Sequence, residues 1–326
     1  MGLQARRVIR KARRTLDSYR SRRQEEDFVA LLHSRIIAED TLFYRDRLLD
    51  TISYYERIDP NKLSEFVDAI FGGPHEYFDY HRYRLSELYC LIHHIVENKF
   101  QDEPFTLIEV STAGDFFART LTASFGPQMT YVSFNYPAEA GGTGGDDLAR
   151  YAALSVEADF NDLDDYSAGD DLVSLIEGRN VIVLASEIVE HLLLDVGNFV
   201  RFWTEAGSSS KRGDLIVTTP NYLADWRIAA LGRGVSCQER YREPERVKQG
   251  FVHIREYAPK EMLDFVDSGG GTLCAISHGM PGGTRPQLSM EEYLAERTRL
   301  LSAHTDYLPT LLKREGLVAI YPIGNG

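Results

Sequence analysis

From Pro104 onward, short apolar segments alternate with segments of helical period, and few folds accept that alternation. Apolar strand patterns fall at 105–110, 129–134, 154–158, 180–185, 214–219, 272–277 and 317–321. Helical patterns lie between them, at 115–125, 146–153, 170–177, 190–205, 222–232 and 259–266, with another at 290–300. Strands linked by helical crossovers pair in parallel, so the pattern predicts a doubly wound α/β sheet of seven strands. An open sheet of this kind presents ligands at the C-terminal ends of its strands.

Residues 24–103 have a different texture, rich in helix formers with apolar residues three and four apart. Asp59-Pro60 is a helix-start signal, and "GGPHEY" interrupts the pattern before it resumes. Three or four helices are expected here, as a cap preceding the α/β domain of 104–326. Residues 1–23 carry Arg6, Arg7, Arg10, Lys11, Arg13, Arg14, Arg20, Arg22 and Arg23 against Asp17 alone. With Val8, Ile9, Ala12, Leu16 and Tyr19 on one side, this segment suits contact with an anionic membrane surface or an acidic protein, or a solvated terminus.

Composition excludes several classes. Apolar residues make up 43% of the chain, enough for a substantial core. The net charge of −13 argues against general nucleic-acid binding. Cys90, Cys237 and Cys274 are widely spaced, which predicts neither a disulfide framework nor a zinc site and fits a cytoplasmic setting. No run approaches the ~18 apolar residues of a membrane span, and the start lacks the apolar core of a secretory signal.

Three later blocks, in order, carry a resemblance. They are "NVIVLASEIVEHLLLDVGNFVRFWTEA", "GDLIVTTPNY" and "FVHIREYAPKEMLDFV". Together they resemble class I S-adenosylmethionine-dependent methyltransferases, of the subgroup acting on small molecules and glycans. The likeness covers roughly residues 105–325 and rests on Glu190-His191-Leu192, Thr219-Pro220-Asn221 and the run His253 to Tyr257. It implies a Rossmann-like sheet, mostly parallel with the last strand antiparallel, and S-adenosylmethionine as cofactor. The implied reaction is methylation of a hydroxyl on a sugar, glycan intermediate or small metabolite.

The resemblance places the cofactor loop at "LIEVSTAGDFF", with Glu109 at the acidic position. Ser111, Ala113 and Asp115 stand where glycines are expected, and Gly114 is one place out of step. Such glycines let backbone approach a ligand closely. Asn135 ends the second strand where the family has an acid that grips ribose hydroxyls; an amide lacks the charge-assisted bidentate bond. Asp159 falls where the adenine amino group is contacted. Ser186 and Glu187 end the fourth strand, and Asn221 and Tyr222 follow the fifth, beside the transferred methyl. His253 is the candidate base, since imidazole titrates near neutral pH. Arg255 and Tyr257 are expected to orient the acceptor. His191 is open to a site or a packing role; His278, His93 and His94 are weaker candidates.

No metal-ligand cluster stands out in the linear spacing. Asp162, Asp164, Asp165, Asp170 and Asp171 lack the glycine and terminal glutamate of a calcium loop. The glycines of 141–145 have no Lys-Ser/Thr for a phosphate. The departures around Glu109 and at Asn135 leave a second expectation, a non-catalytic protein of this fold that serves as partner or regulator.

Overall fold

A computed structural model describes residues 56–70, 76–110, 116–135, 150–160, 170–193, 196–235, 253–269, 272–274, 289–302 and 316–325, with isolated positions 23, 27, 30, 31 and 54. Two helices, α1 (Pro60–Ile70) and α2 (Glu76–His94), come first, and α2 runs into a π-helical turn at Ile95–Lys99. The strands are β1 (Phe105–Val110), β2 (Met129–Asn135), β3 (Ala152–Glu157), β4 (Asn180–Ser186), β5 (Arg212–Pro220), β6 (Thr272–Cys274) and β7 (Gly316–Ile323). The helices among them are α3 (Phe116–Phe125), α4 (Asp170–Ile176), α5 (Val196–Ala206), α6 (Asp225–Gly232), α7 (Pro259–Gly269) and α8 (Met290–Leu301).

The strands form one seven-stranded sheet in the order β3-β2-β1-β4-β5-β7-β6. β1 pairs in parallel with β2 and β4, so that Phe105 sits opposite both Met129 and Asn180. All six residues of β1 are buried, the expected character of a parallel strand covered on both faces. β3 alternates exposed and half-buried residues, as an edge strand does. β7 is antiparallel to both β5 and β6, with Leu215 opposite Tyr321. At the far edge β6 is described over Thr272–Cys274.

Amphipathic period explains the helix seating. α5 buries Val196, Phe199, Val200 and Trp203, the i, i+3, i+4, i+7 stripe of a helix lying on a sheet. Trp203 meets the Phe134 ring edge-on at 5.1 Å. The N-terminal helices share a continuous core with the sheet. Phe66 of α1 stacks on Tyr89 of α2 at 4.2 Å and lies 6.3 Å from Phe117 of α3. His93 packs on Phe125 at 4.4 Å, and burial followed by the Lys62 charge holds its pKa down at about 4.

Two expected helices differ. Of the predicted 146–153, residues 146–149 lie outside the described residues and Ala152 already opens β3. The predicted 190–205 is a short 3₁₀ turn, Val189–His191, followed by α5 from Val196. Leu192 between them is extended, at φ −76° and ψ 140°. Of the basic segment 1–23, only Arg23 is described. No helix among the described residues is long and apolar enough to cross a membrane.

Gly213 marks the tightest backbone approach in β5. An added Cβ would lie 2.6 Å from the Val181 carbonyl oxygen and 2.7 Å from Ile323 Cγ1. Gly213→Ala is therefore expected to cost about 1–3 kcal/mol, read as a lower urea midpoint with an unchanged slope.

Candidate functional site

The strand order reverses between β1, whose crossover leads to β2, and β4 on its other side. Ligands of doubly wound sheets lie at such a reversal, outside the C-terminal strand ends. The ends that meet here are Glu109-Val110 of β1, Asn135 of β2, Ser186 of β4 and Thr218-Pro220 of β5. Ser111, Ala113, Gly114 and Asp115 lie outside the described residues.

Glu109 is 7% exposed, and its Oε2 accepts a 2.7 Å hydrogen bond from Tyr131 Oη. Burial pushes its carboxyl up to about 8, against the smaller downward pull of that bond. The native state therefore keeps a proton that the unfolded chain releases near pH 4.5. Between those values native binds more protons than unfolded, so this stability is whole below about pH 4.5 and is lost as pH rises toward 8. The difference is worth up to about 1.4 kcal/mol per pH unit. Glu109→Gln should abolish that component: its advantage over wild type in denaturation midpoint should widen from pH 5 to 8. Parallel pH curves for the two proteins would show Glu109 to be ionised in the native state.

Asn135 is buried, and its Nδ2 donates to Ser133 Oγ. Asp159, just past β3, is exposed.

At the end of β4 the backbone turns sharply. Glu187 has φ 58°, a left-handed conformation that costs a non-glycine residue roughly 1–2 kcal/mol. Thr218 pins it: the Glu187 N–H donates to the Thr218 carbonyl at 3.0 Å, and Thr218 Oγ1 donates to Glu187 Oε1 at 3.0 Å. Strain held this way at a strand end is typical of a residue kept for its position. Arg84 arrives from α2. Its Nη1 donates to Ser186 Oγ at 2.5 Å and lies 3.5 Å from Glu187 Oε1. The arginine is 3% exposed, so the helical segment contributes a buried cation to the strand ends.

The next group gathers distant parts of the chain. Glu190 is fully buried in the 3₁₀ turn, and its Oε2 accepts from Thr219 Oγ1 at 3.2 Å. Its carbonyl accepts from the N–H groups of Ile254 (2.6 Å) and Arg255 (3.2 Å), which anchors the His253–Tyr257 block. Burial, then the charge of Glu187, raises the Glu190 carboxyl well above the usual carboxylate range. The rings of His191 and His253 meet edge-to-face at 4.8 Å. His253 Nδ1 lies 3.0 Å from Glu256 Oε1, and the same carboxylate accepts from both Nε and Nη2 of Arg227. Burial pushes the Glu256 carboxyl up, but the bonds from His253 and Arg227 outweigh it and hold its pKa below the ordinary value.

The remaining expected residues frame this cluster. Asn221 is fully buried, and its Oδ1 accepts from the Leu223 N–H at 3.0 Å, fixing the turn after β5. The half-buried Tyr222 donates its N–H to the Tyr257 carbonyl at 2.9 Å. Tyr257 is itself buried. Arg255 turns to α7, donating to Glu261 Oε1 at 2.5 Å and lying over the Tyr257 ring at 5.2 Å. The spacing of the sequence gave no warning of Arg84, of the Arg227–Glu256 pair, or of the meeting of Glu190 with two histidines. Of these, Arg227 alone stands out in the sequence, as a charge within the otherwise apolar run "WRIAAL".

Neither a known family model nor a curated protein matches the sequence. Solved structures similar to the chain include a SAM-dependent methyltransferase from Archaeoglobus fulgidus, at 12% identity and TM-score 0.38, over 76% of this chain and 100% of that one. Another is a SAM-dependent methyltransferase from Aquifex aeolicus, at 10% identity and TM-score 0.39, over 81% and 98%. A third is the magnesium protoporphyrin IX methyltransferase of Synechocystis, solved with bound SAH, at 8% identity and TM-score 0.42, over 80% and 94%. At these values the likeness is to the chain path alone.

Proposed function

We propose that the protein is an S-adenosylmethionine-dependent methyltransferase acting on a hydroxyl of a sugar, glycan intermediate or other small metabolite. One observation carries the reading. The three sequence blocks join into a single patch at the strand ends, tied by the bonds from Ile254 and Arg255 to Glu190 and from Tyr222 to Tyr257. The cofactor would supply an electrophilic methyl group. Glu109 through Gly114, Asn135, Asp159 and Ser186 would hold it, with the protonated Glu109 carboxyl as a donor. Glu187 and Asn221 set the shape of the transfer site, and Tyr222, Arg255 and Tyr257 frame the acceptor side.

The chain's own task is then to position an acceptor oxygen and receive its proton. Glu256 accepts from Nδ1–H of His253, which leaves Nε2 as the nitrogen that would receive the acceptor's proton. Residues 24–103 act as a cap that delivers Arg84. Residues 1–23 offer a basic contact for an anionic surface or protein, and the setting is cytoplasmic.

Isothermal calorimetry with S-adenosylmethionine and S-adenosylhomocysteine tests the proposal. Saturable heat from both, with a thermal shift, is the expected result. Silence at millimolar ligand would favour the second reading, a non-catalytic partner or regulatory protein, for which Asn135 already speaks.

A further inference from the structure

We propose that Glu190, His191 and His253 form a binding site for a divalent transition-metal cation. One carboxylate oxygen and two imidazole nitrogens, one from each residue, lie within 4.8 Å of one another. Bound donors sit about 2.0–2.2 Å from such a cation, so modest side-chain rotations complete the site. Both imidazoles have room for that, with side chains 20% and 38% exposed.

Two features point to a cation. Glu190 Oε1 is buried without a hydrogen-bond partner among the described residues, 3.9 Å from His191 Nε2. A buried acceptor left this way carries a desolvation penalty that a ligand would relieve. Next, the carboxylate of Glu256 accepts from His253 Nδ1, and Arg227 grips that carboxylate through two bonds. Carboxylate–imidazole pairs of this kind fix the tautomer and orientation of metal-ligating histidines.

One oxygen and two nitrogens suit Mn²⁺, Fe²⁺, Co²⁺ or Zn²⁺ better than Mg²⁺ or Ca²⁺, which prefer oxygen ligands. Binding stands apart from the methyltransferase reading. Only its use rests on that reading: a cation held by His253 Nε2 would take over that nitrogen's part, binding the acceptor hydroxyl and lowering its pKa so that the proton passes to water.

The full chain, stripped with a chelator and without nucleoside, is titrated with Mn²⁺ followed by paramagnetic resonance and with Co²⁺ followed by visible absorption. One saturable site per chain is expected, with Ca²⁺ a poor competitor. Glu256→Gln should weaken binding about 10–100-fold through the second shell. His191→Ala and His253→Ala, each checked for native melting, should weaken it at least as much. Absence of saturable Mn²⁺ or Co²⁺ binding to wild type at millimolar metal overturns the proposal. So does unchanged affinity in the natively folded His191→Ala/His253→Ala double variant. A protein that binds metal but no nucleoside would refute only the methyl-transfer reading.

Discussion

Arg84→Ala should destabilise the protein by about 3 kcal/mol, measured by urea unfolding. The arginine is 3% exposed and lies against Ser186, Thr218 and Glu187, on strand ends more than a hundred residues later in the chain. Removing one member of a buried ion pair strands the other in a poorly solvating environment, which costs 3–5 kcal/mol in comparable cases. The low end applies because the Glu187 side chain keeps 19% of its solvent exposure. Arg84→Lys should recover only part of the loss, since an ammonium cannot reproduce the planar fork of a guanidinium. In a double-mutant cycle with Glu187→Gln, a coupling of at least ~1 kcal/mol is expected. Additive effects would mean that Arg84 acts only through the two hydroxyls.

His253→Ala should lower turnover at least ~100-fold, the usual scale for removing a group that handles the acceptor proton. S-adenosylhomocysteine affinity should stay within a factor of a few, because His253 packs on His191 and bonds to Glu256 and not to Glu109 or Asn135. A steady-state assay together with calorimetry separates the two quantities. Full turnover in the variant would remove His253 from the reaction. Loss of both turnover and nucleoside binding would assign it a structural part instead.

Strands were the most legible part of the sequence. β1 spans Phe105–Val110 as the apolar run alone predicts, because a strand buried on both faces leaves an unbroken hydrophobic signature. The helix over 190–205 misled for a definable reason. In a helix the Glu190 carbonyl would accept from the N–H of residue 194. Here it accepts from Ile254 and Arg255, so a tertiary competitor ends the turn before the apolar spacing does. Arg84 was invisible for the same kind of reason: nothing local to α2 records that Ser186 and Thr218 wait for its guanidinium. Glu190 and His191 were seen as neighbours of the site, but the third member of their cluster comes from 62 residues further on, a distance no linear spacing rule spans.

β6 reaches the rest of the sheet only through β7, which is the later of the two to leave the ribosome. Until residues 316–323 emerge, the flank of β5 is an open, apolar template and the nascent chain has no way to seal it. That interval is when self-association between newly made copies is most dangerous. Chaperone demand should therefore concentrate on the interval between the synthesis of β5 and that of β7.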